Sequence, residues 1–295
     1  MDIVPLGPGF AAELPGMTLA DVAADDVAYQ VVRAAFEEHS VIVLRDQQVR
    51  DGAQIAFSCR FGPLERTKVG SIGAGTNLIV LSNIDDNGNI VPPDHKFGLV
   101  ARANQLWHTD STFKSVPALA SLLSARMIPP RGGETEFVST RLAWDRLDAD
   151  IRKRLESSYA WHDYAHSRGK IAPDLITAEE RAALPPQCWR MVWKNPVNGR
   201  SALYVASHAY AIEGIKDTVA QRLITALIDA ATVPEVRYVH TWRAGDVVMW
   251  DNRATLHRGR PWPADEARHM VRTTISATDA DGLMLMRPPV RLAAE

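Results

Sequence analysis

The sequence predicts a mainly β domain with helical insertions. Short runs rich in β-branched residues recur along the chain, amphipathic stretches of helical period interrupt them, and no repeat, low-complexity segment or linker divides the 295 residues. This pattern favours a β-rich core decorated with helices over a parallel βαβ array. Residues 1–295 are expected to form a single domain, a length that large barrels and sandwiches reach.

Residues 24 to 39, ADDVAYQVVRAAFEEH, carry apolar groups at helical spacing, with acids near the start where the helix dipole is positive. SVIVLRD, residues 40 to 46, is short and β-branched, a buried strand. AQIAFSCRFG returns to helical character and stops at Gly62-Pro63. Residues 65 to 103 mix Gly, Asn, Asp and Pro around NLIVLSNI, which predicts one strand between two long loops of the kind that often form lids. TRLAWDRLDADIRKRLESS predicts one charged, exposed helix. TAEERAAL, 177 to 184, opens with Thr177 and Glu180 at capping-box spacing, and residues 217 to 232 predict another amphipathic helix. ALYVAS, VRYVHTW, GDVVMWDN and HMVRTTISAT supply further strands.

Apolar (46%) and charged (23%) fractions are those of an ordinary globular protein and exclude a disordered chain. A net charge of −2 gives no general attraction to nucleic acid or an anionic membrane, so basic residues that matter must act locally. Cys59 and Cys188 fit neither a metal-site nor a disulfide spacing and read as reduced thiols of a cytosolic protein. The N-terminal MDIVPLGPGFAAELPG lacks a basic segment before an apolar core, and no run of about 18 apolar residues could span a membrane. A cytoplasmic location is expected.

The chemistry concentrates in NQLWHTDSTF, residues 104 to 113. In an extended run His108 and Asp110 share one face, because strand side chains alternate. GDVVMWDNRATLHRG, 245 to 259, adds His257 after a strand and a polar turn. First and last core strands of a double-stranded barrel can face one another, and two histidines plus one carboxylate on one side of a metal leave the other side open. That is the facial triad of non-heme Fe(II) oxygenases. ARHMVRTT supplies Arg268 and Arg272, four apart on one strand face. Guanidinium matches carboxylate through two parallel hydrogen bonds, and a buried arginine pair without an anion would be costly. A small diacid, such as a 2-oxo acid cosubstrate, satisfies that requirement.

NQLWHTDSTF, IPPRGGETEF, GDVVMWDNRATLHRG and RHMVRTT, in that order, resemble the TauD/TfdA family of Fe(II)/2-oxoglutarate dioxygenases. HSVIVLRDQ, FGPLE and LYVASHAYAIEG extend the likeness over most of the chain, nearest the 2,4-dichlorophenoxyacetate branch. The resemblance implies a double-stranded β-helix, or jelly roll, with Fe(II), 2-oxoglutarate and O2, and ascorbate as a supporting reductant. It makes His108, Asp110 and His257 the iron ligands, assigns Thr135 and Arg268 to the C5 carboxylate of 2-oxoglutarate, and sets Arg272 nearer the metal, against the C1 carboxylate or the substrate's anionic group. Asn104 and Ser111 match positions lining the substrate pocket. The implied reaction converts 2-oxoglutarate to succinate and CO2 while hydroxylating a substrate carbon; beside an aryl ether oxygen the product falls apart to a phenol and a 2-oxo acid such as glyoxylate.

The implied substrate is an aromatic carboxylate of the aryloxyacetate type. Lys68, in FGPLERTKVGSIG, reads either as a partner for its carboxylate or as a solvated lysine, and His208, in ASHAY, either as a carboxylate contact or as a core histidine. Alkyl sulfonates, sulfate esters and plant-derived aromatic acids remain alternative substrates; a noncatalytic metal-binding jelly roll or a zinc hydrolase would not need Thr135 and Arg268. His162 and His166 lack a third zinc ligand and read as surface or loop residues. Trp107 and Trp250 are expected to pack around the metal site. No nucleic-acid or membrane partner is expected; relatives are commonly homo-oligomers.

Overall fold

A computed structural model describes residues 2–67 and 74–289. Its principal sheet runs, in spatial order, β1 (Val4–Pro5), β2 (Ala11–Glu13), β3 (Val41–Leu44), β13 (Val247–Asp251), β5 (Ala118–Met127), β15 (His269–Ser276) and β4 (Ile79–Ser82). Among the described residues only β2 and β3 pair in parallel. A second sheet orders β12 (Tyr238–His240), β6 (Thr135–Ser139) and β14 (Thr255–Gly259). Smaller sheets flank this sandwich: β7 (Tyr159–His162) lies between β8 (Gln187–Arg190) and β11 (Ala209–Ile212), and β9 (Val192–Lys194) pairs with β10 (Ser201–Leu203). The core is a jelly roll.

Strand alternation sorts the core into two layers. Val41, Val43, Val248 and Trp250 face inward and pack with Phe137 and Tyr238 of the second sheet. Their neighbours Ile42, Leu44, Val247 and Met249 turn to the opposite face, where they meet the helices Leu19–Ala24, Asp26–His39 and Asp51–Cys59. Both faces of the central strands are therefore buried, which explains why GDVVMWDN and SVIVLRD read as continuous apolar runs. The helix Asp217–Ala231 buries Ala220, Ile224 and Leu227 against the sheet holding β7 and β11.

Three expectations need correction. Residues 140–158 do not form one exposed helix but two, Thr140–Asp145 and Ala149–Leu155, and the first is mostly buried. Its Arg141 is drawn inward by Asp251, 3.0 Å away, and its Trp144 enters the core. The second of the two loops expected between 65 and 103 contains a helix, Lys96–Ala103, whose amide of Phe97 donates to the His95 ring. His162 is not a surface residue: it ends β7, fully buried, while His166 lies on the helix Tyr164–Gly169, so the two do not share one helix.

Behind β13 lies a buried ionic cluster. Arg253 reaches Asp251 (2.9 Å) and Glu37 (2.8 Å), Arg141 takes the other oxygen of Asp251, and Asn195 donates to Glu37 at 2.6 Å. This ties the helix Asp26–His39 to the turn after β13. Removing one partner of such a cluster leaves an uncompensated buried charge. Arg253→Met should cost about 3–5 kcal/mol in urea unfolding, whereas a loss below 1 kcal/mol would show that the cluster does not hold the turn.

Candidate active site

His108 and His257 lie about half the chain apart in sequence, yet they face one another across an antiparallel bridge. The His108 amide donates to the His257 carbonyl at 3.0 Å, and the His257 amide donates back at 2.8 Å. Their rings sit 4.1 Å apart. Only His108 is bridged in this way; at Asp110 the chain enters a turn, and Ser111 adopts a left-handed φ of 58°. The expectation of an extended NQLWHTDSTF run is thus corrected, although one ligand atom each from His108, Asp110 and His257 still lies within 4.8 Å of the others.

The turn is clamped from β13 and its following loop. The side-chain oxygen of Asn252 accepts from the Asp110 amide and from Trp250 Nε1, both at 3.1 Å. Its amide nitrogen donates to Ser121, whose hydroxyl donates to Asp110 Oδ2 at 2.7 Å. Asp110 Oδ1 accepts from Arg272 at 2.6 Å. The Arg272 charge, helped by the Ser121 hydrogen bond, outweighs burial and holds the Asp110 carboxyl well below its ordinary range.

Burial acts oppositely on the imidazoles. It pushes His108 down to about 4 and His257 well below 6.5, so both are neutral near pH 7. His108 Nδ1 is 2.7 Å from the Leu106 carbonyl, which fixes the proton there and leaves Nε2 with a bare lone pair. Two neutral nitrogens and one anionic oxygen are a donor set suited to a divalent transition metal.

A cavity of about 140 Å³ opens onto this cluster. Asn104, His108, Thr135, His257, Arg268 and Arg272 all line it, and Ile79, Leu81, Phe97, Leu123 and Trp250 add apolar walls. Arg268 is buried, its Nε has no hydrogen-bond partner among the described residues, and its guanidinium lies 4.9 Å from the Trp262 ring. Desolvation pulls it down to about 10. A buried guanidinium with no ion pair among the described residues, in a cavity that Thr135 also lines, is suited to receive an anion. Gly133, at φ +72°, leaves room for it, since a Cβ there would stand 3.3 Å from Arg268 Nε.

Other expected site residues lie elsewhere. Ser111 sits behind Asp110 rather than along the cavity, donating its hydroxyl to Glu65 at 2.9 Å. His208 is buried beside His108, ring centroids 6.2 Å apart, and neither of its ring nitrogens has a hydrogen-bond partner among the described residues. Lys68 lies outside the described residues. Trp250 packs 4.6 Å from His257, while Trp107 lies beneath Arg258. Sequence reasoning missed Asn252 and Ser121, which orient Asp110, although WDN did stand in the motif. It also missed Trp262 and Tyr164, for which no local pattern gave a signal.

A jelly roll that gathers two imidazoles and a carboxylate beside an unpaired arginine has the architecture of a 2-oxoglutarate-dependent dioxygenase. The chain belongs to the TauD/TfdA family: the model described as taurine catabolism dioxygenase TauD, TfdA family, matches residues 2–274. It is 36% identical over 275 residues to the α-ketoglutarate-dependent 2,4-dichlorophenoxyacetate dioxygenase of Cupriavidus pinatubonensis, covering 92% of this chain and 96% of that one. It is 34% identical over 287 residues to the (S)-phenoxypropionate/α-ketoglutarate dioxygenase of Sphingobium herbicidovorans, covering 95% and 96%. The crystal structure of AAD-2 in complex with Mn(II) and N-oxalylglycine superposes with a TM-score of 0.87 at 34% identity, over 99% of this chain and all of that one. The enzyme is an α-ketoglutarate-dependent dioxygenase. Among the described residues no helix is long and apolar enough to cross a membrane.

The buried neutral histidines make stability depend on pH. His162 is held down to about 3 by burial, against about 6.5 in an unfolded chain. Its contribution is complete above pH 6.5 and is lost as pH falls toward 3, because the unfolded state then binds the extra proton. Urea stability should fall from pH 7 to pH 5, and His162→Phe should reduce that slope by about one proton, about 1.4 kcal/mol per pH unit at most. An unchanged slope would contradict the buried neutral state.

Proposed function

We propose that this chain, acting as one catalytic domain over residues 1–295, is an Fe(II)- and 2-oxoglutarate-dependent dioxygenase that hydroxylates an aryloxyalkanoate at the carbon bearing the ether oxygen. The observation that carries the reading is the pairing in one cavity of the His108–Asp110–His257 cluster with the anion-demanding Arg268. Neither a structural metal site nor a hydrolase requires the second element. The relatives named for 2,4-dichlorophenoxyacetate and (S)-phenoxypropionate support the choice of substrate class.

His108, Asp110 and His257 would hold iron, and bound iron with 2-oxoglutarate and O2 supplies the oxidising power for C–H hydroxylation. The chain's own residues prepare the site for it. Asp110 arrives already ionised and oriented by Arg272, Ser121 and Asn252, so metal binding need not displace a proton from it. Arg268 and Thr135 would receive the distal carboxylate of 2-oxoglutarate, with Arg272 steadying the C1 carboxylate. The apolar walls exclude water from the oxidised carbon. A carbon hydroxylated beside an aryl ether oxygen is a hemiacetal; its O–H proton passes to the departing aryloxide, giving a phenol and a 2-oxo acid, glyoxylate in the case of an acetate.

With Fe(II), ascorbate and 2-oxoglutarate, succinate and phenol should rise together for one member of a panel of phenoxyacetates and phenoxypropionates. Succinate without phenol, or turnover confined to sulfonates or sulfate esters, would discard the ether substrate; absence of succinate under every condition would discard the dioxygenase reading. Asp110→Ala should abolish turnover, while Arg268→Lys should raise the KM for 2-oxoglutarate about tenfold or more, since an ammonium cannot reproduce the two parallel hydrogen bonds. Ordinary activity in Asp110→Ala would contradict the ligand assignment.

A further inference from the structure

The indole N–H groups of Trp189, Trp193 and Trp262 donate to main-chain carbonyls, and those of Trp161 and Trp250 to the side-chain oxygens of Glu213 and Asn252. None of those acceptors carries a proton to redirect. Trp242 differs: its Nε1 donates to the Thr135 hydroxyl at 3.0 Å, an acceptor that is itself a donor. An indole N–H can only donate, whereas a threonine hydroxyl has one proton and two lone pairs. The bond therefore occupies a lone pair of Oγ1 and turns its proton elsewhere. Trp242 is the only hydrogen-bond partner of Oγ1 among the described residues, so within them that proton has no acceptor.

Both partners are held in place. Thr135 opens β6 and stands opposite His240 in the ladder with β12. Two residues on, Trp242 is buried, its ring edge-on to the His240 imidazole at 4.5 Å. His240 is fixed in turn between the Tyr238 hydroxyl (3.0 Å) and Asp246 (3.1 Å), and Arg45 reaches Asp246 at 2.8 Å. The indole thus has little freedom to swing away from Thr135. Thr135 and Arg268 line the cavity but Trp242 does not, so it acts on a ligand only through the threonine. These two cavity residues offer a guanidinium and a hydroxyl whose oxygen is already engaged. Carboxylate oxygens, which only accept, match such a pair; a methyl group does not.

We propose that Trp242 is a positioning residue that commits the Thr135 hydroxyl to donating, and thereby makes the cavity select 2-oxo acids with an ionised distal carboxylate. This rests on the proposed assignment of Thr135 and Arg268 to the distal carboxylate of 2-oxoglutarate.

The test is anaerobic calorimetric titration of the Mn(II)-loaded protein with 2-oxoglutarate and with 2-oxopentanoate, in which a methyl group replaces the distal carboxylate. Two replacements remove the indole N–H: Trp242→Phe, and Trp242→3-benzothienylalanine, which keeps the bicyclic ring and so preserves the packing. Each should raise the Kd for 2-oxoglutarate about fivefold or more and leave that for 2-oxopentanoate within twofold. Neither should weaken 2-oxoglutarate further in a Thr135→Val background. Unchanged 2-oxoglutarate affinity in the benzothienylalanine protein, with Thr135→Val weakened, would overturn the role of Trp242 and leave the distal-carboxylate site standing. Equal weakening of both ligands, or a further loss in the Thr135→Val background, would also overturn it, showing that Trp242 acts by packing rather than through Thr135. A Thr135→Val protein that binds both ligands as the wild type does would overturn the distal-carboxylate assignment of Thr135 and this inference with it.

Discussion

Two reciprocal backbone hydrogen bonds, between His108 and His257, join the halves of the active site. Everything else there depends on them. A directly bonded antiparallel pair brings its residues within about 5.5 Å at Cα, so two imidazoles from opposite ends of the catalytic sequence are placed together by main-chain geometry before any metal arrives. β6 and β14 supply the sheet that presents His257, while β13 supplies the WDN turn that fixes Asp110. The jelly roll is thus a means of bringing these segments into register.

Electrostatics then divides the labour among buried groups. Asp110 is kept anionic by Arg272, and the histidines are kept neutral by burial, which are the protonation states a metal needs from each. Among the described residues Arg268 has no carboxylate partner. Structural arginines behind β13 are treated differently, each paired with Asp251 or Glu37. This contrast separates cations that hold the fold from cations that await a ligand.

Much of this was legible in the sequence where chemistry restricts the choice of residue. A metal claw needs His and Asp types at close spacing, and a distal carboxylate needs a fork of donors, so His108, Asp110, His257 and Arg268 stood out. What depended on tertiary packing did not. Arg168 looks like any charge in a polar stretch, and only the packing of Tyr164 and Asn104 around it reveals that it is buried. The periodicity of 140–158 was helical as read, but it could not reveal that Asp251 draws Arg141 inward. Likewise the helix Lys96–Ala103 hides among Gly, Asp and Pro, because its apolar residues gain their purpose from the cavity they wall. The left-handed turn at Ser111 defied a strand reading that was right about His108 and Asp110 sharing a target.

The central claim is that the three-residue cluster and Arg268 act as one site, binding a metal and a 2-oxo diacid together. Calorimetric titration of N-oxalylglycine, an isostere of 2-oxoglutarate, into Mn(II)-loaded and metal-free protein tests it most directly. The account predicts binding to the Mn(II) form with an affinity at least tenfold above that of the metal-free form. Equal affinity in both forms, or no binding to either, would contradict it.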